Sequence, residues 1–132
     1  MKVFLDTNVL ASALATRGLC AELFEVVLQD HQLLISEPLV EELNRVLTEK
    51  LGLTQVIVNA YLSLLHDNAV TVSPTRPYPS LPDSADEPIV ASALAGDAAV
   101  FVTGDKTLLD LSTVDGLSLL SPREFWERLS TA

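Results

Sequence analysis

Four carboxylates stand where apolar segments of this chain give way to turns or helices. Asp6 follows Val3-Phe4-Leu5, Glu42 lies within Glu37–Leu47, Asp86 precedes Ile89-Val90-Ala91, and Asp105 follows Val100-Phe101-Val102-Thr103-Gly104. An acid at the edge of a hydrophobic core is costly to desolvate unless something positive joins it. Asp6, Glu42 and Asp86 are expected to have no dedicated ion-pair partner, and only Asp105 has an adjacent base, Lys106. The simplest source of the missing charge is a divalent cation. Clustered carboxylates repel, and Mg2+ or Mn2+ relieves that repulsion through oxygen ligands while keeping several waters. Such an ion activates water, holds a phosphate oxygen and stabilises a leaving oxygen. The chemistry to expect is metal-assisted hydrolysis.

Each acid also has an ordinary explanation. Asp6 and Asp105 precede helical stretches and suit N-caps, Asp86 suits the positive end of a helix, and Glu42, flanked by Glu41, suits a solvated face. Capping does not exclude ligation. Asn8 is placed to orient Asp6, and Thr103 to bring a hydroxyl to the same place, although Asn is common at turns and Thr at strand ends. Lys106 either contacts a substrate phosphate or balances Asp105, while Arg17, Arg45 and Arg76 read as solvated charges. Zinc does not fit, because His31, His66 and Cys20 lack ligand spacing.

The elements that must position these acids alternate in length and pattern. Strands are expected at Lys2–Asp6, Leu33–Ile35, Val70–Val72, Ala99–Val102 and Leu117–Leu120. Helices are expected at Asn8–Ala15, Leu19–Leu28, Glu37 to about Lys50 capped by Ser36, from Thr54 onward, Glu87–Ala95, Lys106–Leu111 and from Pro122. Five strands alternating with helices imply a mostly parallel sheet covered on both faces, an α/β/α sandwich. In such sheets the functional crevice lies at the carboxyl ends of the strands, where Asp6, Asp105 and the approach to Asp86 fall. Glu42, at the border of the apolar stripe made by Leu39 and Val46, is placed to lean over the same rim. Pro74–Pro82 is the one linker-like stretch, too short to divide domains, so residues 1–132 read as one domain.

Composition narrows the rest. One cysteine excludes an internal disulfide framework and fits a reducing cytoplasm, and the N-terminus does not read as a signal peptide. No apolar run is long enough to span a membrane. A net charge of −10 argues against a groove lined with Lys and Arg, yet leaves nucleic acid open if cations neutralise the site. The 48% hydrophobic content leaves some apolar surface for an interface with itself or another chain.

Four segments, in this order, resemble the PIN-domain family: Asp6-Thr7-Asn8-Val9-Leu10, Glu41-Glu42-Leu43, Asp83-Ser84-Ala85-Asp86-Glu87-Pro88-Ile89 and Val102-Thr103-Gly104-Asp105-Lys106-Thr107-Leu108-Leu109. The closing Leu120-Ser121-Pro122-Arg123-Glu124-Phe125 is similar to the end of the family's bacterial toxin-like members. The resemblance implies a three-layer α/β/α domain with a five-stranded, mostly parallel sheet and a Mg2+- or Mn2+-dependent ribonuclease activity. Carried over by position, the family's acids fall on Asp6, Glu42, Asp86 and Asp105, with Asn8 and Thr103 supporting. Asp83 and Glu87 stand close enough to share the role of Asp86. It further implies hydrolysis of single-stranded RNA to a 3′-hydroxyl and a 5′-phosphate, a cognate antitoxin protein and a homodimer. A catalytically silent PIN-like module that binds RNA or a protein is the alternative from another class. A haloacid dehalogenase-type phosphatase would need a second Asp where this chain has Asn8, and a phosphoacceptor domain would need one where it has Val72-Ser73-Pro74.

Overall fold

The computed structural model describes residues 1–131. Its centre is built from the most apolar segments, β1 (Lys2–Leu5) and β4 (Val100–Val102), which pair in parallel with Phe4 opposite Phe101. Val3, Phe4 and Leu5 are all fully buried, although successive strand residues point to opposite faces. Both faces of the sheet are therefore covered, which explains why these strands read as unbroken apolar runs. The Phe4 and Phe101 rings stack at 5.4 Å with 9° between their planes, locking the two strands in register.

The sheet has six strands in the order β3-β2-β1-β4-β6-β5. From β1 the chain passes through α1 (Thr7–Ala15) and α2 (Leu19–Asp30) to β2 (Gln32–Ser36). It then runs through α3 (Glu37–Arg45) and α4 (Gln55–Asn68) to the edge strand β3 (Ala69–Val72). A loop leads to α5 (Glu87–Ala95), which returns the chain to β4 on the other side of β1. There follow α6 (Lys106–Leu109), β5 (Thr113–Val114), β6 (Leu117–Leu120) and α7 (Pro122–Thr131). The direction of winding reverses between β1 and β4, so the crevice opens where those two strands end. The layers are those of an α/β/α sandwich.

Two expectations need correction. The sheet has a sixth strand: β5 pairs antiparallel with β6 through a tight hairpin, Asp115-Gly116, both at positive φ (48° and 86°). Asp-Gly is a strong hairpin signal, but a strand of two residues carries no periodicity to reveal it. The helix from Glu37 to Lys50 also does not stay regular. It becomes a π-helical turn over Val46–Lys50, with the Leu51 amide donating to the Val46 carbonyl at 3.1 Å. Smaller differences are of boundaries: α1 begins at Thr7, α2 runs to Asp30, and α6 stops at Leu109.

The helices are tied down by caps and by one long-range bond. Ser36 caps α3 by accepting from the Leu39 amide, and the Tyr61 hydroxyl donates to the Leu10 carbonyl at 2.8 Å, joining α4 to α1. Gly96 closes α5 where the chain turns tightly beneath β2 and β3. A Cβ there would lie 2.8 Å from Leu34 Cδ1 and 2.9 Å from Val72 Cγ1. Gly96→Ala should therefore cost about 1–3 kcal/mol through overpacking. Chemical denaturation checks it, and an unchanged midpoint would show that the sheet edge yields freely.

Candidate active site

The carboxyl ends of β1 and β4 bring Asp6 and Thr103 side by side. The Asp6 amide donates to the Val102 carbonyl at 2.9 Å, carrying the strand ladder one residue beyond its apolar part. Asp6 is the N-cap of α1, its Oδ1 accepting from the Thr7 amide at 2.8 Å. Its Oδ2 faces the other way and accepts from the Thr103 hydroxyl at 2.8 Å and from Asn8 Nδ2 at 3.3 Å. Thr103 is fully buried, and its oxygen also accepts from the Asp105 amide at 3.0 Å. Asn8 closes the circuit by accepting from the Gly104 amide at 2.8 Å. One network thus joins Asp6, Asn8, Thr103 and the backbone of Asp105.

Asp105 caps α6 through Oδ1, which accepts from the Thr107 amide at 2.9 Å. Capping and placement at the rim coincide, as the two readings of these aspartates allowed. Lys106 does not balance Asp105: it pairs with Asp110 at 3.7 Å, in the only ion pair among the described residues.

Glu42 and Asp86 reach the rim from the helical layers, and both are half-buried. Asp86 ends a short 3-10 turn, Ser84–Asp86, and makes no capping bond. The turn is fixed by its neighbours instead. Asp83 accepts from the Ala85 amide at 3.0 Å, and Glu87 accepts from the Leu81 amide at 3.0 Å. Both residues that stood as alternatives to Asp86 are thus engaged in holding the loop that presents it.

The electrostatics show that these acids share one space. Burial pushes the Asp6 carboxyl up to about 6, against the hydrogen bonds from Thr103 and Thr7, and the charges of Glu42 and Asp105 add to the rise. Asp86 is likewise raised to about 6, by burial and then by Asp6, Asp83, Asp105 and Glu42. All four acids singled out in the sequence lie within electrostatic reach of one another, although no three of them stand as a ready ligand group. Sequence reasoning read Arg45 as a solvated charge and passed over Lys50. Both line a hollow of about 290 Å3 with Glu42 and Asp86 yet pair with none of its acids. Arg45 was findable, three residues after Glu42. Lys50 was not, because its direction depends on the π-helical turn.

A PIN domain family model matches residues 2–107. The chain belongs to the PIN-domain family. Similar folds occur in VapBC2 from Rickettsia felis bound to a DNA fragment from their promoter, at 14% identity and a TM-score of 0.67, covering 92% of this chain and 98% of that one. VapBC-1 from nontypeable Haemophilus influenzae is 19% identical with a TM-score of 0.64, covering 93% and 99%. FitAcB from Neisseria gonorrhoeae is 21% identical with a TM-score of 0.58, covering 92% and 98%. At these identities the likeness is one of fold. No curated protein matches the chain significantly.

The donor set of this PIN domain fits a hard, oxygen-loving cation. It is all carboxylate, two of its members are pushed above the usual carboxylate range by burial and then by neighbouring acids, and no base pairs with them. Among the described residues no three His, Cys, Asp or Glu side chains form a ready-made cage. An all-oxygen set without His or Cys suits Mg2+ better than zinc.

Three outcomes follow for the isolated protein. A carboxyl whose pKa lies higher in the fold than the ordinary 3.8 holds its proton longer when folded. Between about pH 4 and pH 6 the unfolded chain then binds fewer protons, so stability without divalent ions should fall as pH rises through that window. Added Mn2+ should raise the melting temperature at about pH 7.5 and much less at about pH 4.5, because binding to the folded state alone stabilises it. A pH-independent Mn2+ effect, read by thermal melts, would count against a carboxylate site. Thr103→Val removes the hydroxyl that holds Asp6 and should weaken Mn2+ binding by about 10–100-fold in calorimetry. Wild-type affinity would show that Thr103 only packs.

Proposed function

We propose that this PIN domain is a metal-dependent endoribonuclease that hydrolyses phosphodiesters of single-stranded RNA. The observation that carries the reading is Asp6: pushed up by burial and further by neighbouring acids, unpaired by any base, and oriented by Thr103 and Asn8 beside Asp105. Stability alone would not favour this arrangement, since burying a charge without a partner is costly.

Asp6 and Asp105 would hold the principal Mg2+ or Mn2+, with Glu42 and Asp86 completing the inner or outer shell. When bound, that ion supplies Lewis-acid stabilisation of the phosphate and lowers the pKa of water. The chain's own residues then have separable tasks. Thr103 and Asn8 fix the orientation of the Asp6 carboxylate at the end of β1. The α1 cap and the β1–β4 ladder keep that carboxylate from swinging out as charge builds up opposite it. One carboxylate of the set orients the attacking water for an in-line approach and receives its proton. The products are a 3′-hydroxyl and a 5′-phosphate, and no side chain becomes covalently attached to phosphorus.

The cellular setting we propose is the cytoplasm, as the toxin of a toxin–antitoxin pair restrained by a cognate antitoxin and working as a homodimer. Family membership and the fold shared with VapBC2, VapBC-1 and FitAcB support the pairing. Exposed Leu51, Val56, Ile57 and Leu64 support a further interface. No helix among the described residues is long and apolar enough to cross a membrane. The silent-module reading draws on the net charge of −10, which repels free RNA.

Asp6→Asn separates the readings. Asn preserves the N-cap and removes a charge, so the fold should survive with equal or higher melting temperature. Mn2+-dependent cleavage of short single-stranded RNAs should fall by about 100-fold or more, as expected when an electrostatic stabiliser of the transition state is lost. Full activity in that variant would refute the role of Asp6, and no cleavage by the wild type would favour the silent module.

A further inference from the structure

Only eight Lys and Arg residues offset 18 acids, and two of the eight stand in the acidic hollow itself. Arg45 ends α3 and Lys50 ends the π-helical turn, and both are exposed. Their hollow also contains Glu42, Glu49, Asp83 and Asp86, yet neither base forms an ion pair. Bases meant to neutralise those acids would be expected in contact with them. These two instead line the hollow with their charges unpaired.

The π-helical turn explains how Lys50 comes to be there. In a regular α-helix a residue eight positions after Glu42 lies about 80° around the axis from it. A π turn inserts one residue into the winding, so Lys50 stands where the seventh would, about 20° from Glu42. Lys50 and Val46 also line the adjoining trough of about 370 Å3, which holds Asn8, Ala11, Ala15 and Leu51. A strand crossing from Asp86 to Asn8 must therefore pass Lys50. Carboxylates and unpaired bases lining one hollow form the pattern that grips a polyanion beside a cation site.

We propose that Arg45 and Lys50 bind backbone phosphates flanking the scissile one, making the π-helical turn part of the substrate site. The proposal rests on RNA being the ligand of the acidic crevice. The test uses the full chain and a fluorescein-labelled, mixed-sequence single-stranded RNA. Binding is followed by anisotropy with Ca2+ in place of Mg2+, and cleavage is followed separately with Mn2+. Arg45→Ala/Lys50→Ala should weaken binding about 10-fold or more and flatten the dependence of log Kd on log salt by about 1.4, at ~0.7 for each phosphate that is no longer neutralised. KM should rise while kcat stays within about threefold, and Arg45→Lys/Lys50→Arg should restore most of the binding, since both interactions are charge to phosphate. An unchanged salt slope in a double variant of wild-type cleavage would overturn this proposal and leave the nuclease reading standing. A wild type that binds but does not cleave, with the slope still flattened in the double variant, would sustain the phosphate site and sink the nuclease. Neither binding nor cleavage by the wild type would sink both.

Discussion

The parallel pairing of β1 with β4 sets the geometry of the rim, because its ladder continues one residue past the last apolar pair into the Asp6 amide. That extra hydrogen bond places Asp6 level with Thr103 rather than a residue above or below it. A slip of one residue would exchange the faces of the whole strand and expose its core side chains. Phe4 stacked on Phe101 makes such a slip expensive. Hydrophobic packing in the sheet thus fixes the position of a charged group outside it. The link from sequence to chemistry runs through strand register.

The same acids serve two purposes. Asp6 and Asp105 each use Oδ1 to cap a helix, anchoring the side chain by a backbone amide. For Asp6, Oδ2 is turned toward Thr103 and Asn8. An N-cap thereby becomes a means of orienting a carboxylate, and helix stability and site geometry stop being independent quantities. Asp86 follows a different rule. It gives up capping and depends on Asp83 and Glu87 to shape the loop beneath it. Burial and repulsion then raise Asp6 and Asp86 to about the same value from different elements.

Much of this was legible in the residues. Apolar runs such as Val3-Phe4-Leu5 and Val100-Phe101-Val102 mark strands buried on both faces, and the alternation with helices implies the parallel sheet. Asp6 and Asp105 were legible for the same reason, since each closely follows such a run. What escaped was set by short or nonlocal effects. β5 is two residues long, and its hairpin partner is visible only once the sheet edge exists. The π turn arises where one helix must meet α1, α4 and the sheet together, and no residue type in Val46–Lys50 announces it. The backbone hydrogen bonds of Asp83 and Glu87 depend on how the loop folds and could not be read from the residues.

Charge explains why an acidic chain need not exclude a polyanion from its crevice. Of the bases outside the acidic hollow, Lys106 is held by Asp110 and Arg76 lies over the Tyr78 ring at 4.5 Å. The remaining surface is dominated by acids, so a polyanion is repelled at long range, most strongly at low salt. Under the proposed reading, affinity for RNA would have to be local, made by a cation among the carboxylates and by the two bases beside them. Such a site would discriminate by divalent-ion occupancy and by close fit rather than by general electrostatic attraction. Its acids would repel an RNA backbone when they stand alone and favour it once a cation joined them, so the repulsion that adds to the effect of burial on Asp6 and Asp86 would also guard the crevice against unproductive binding.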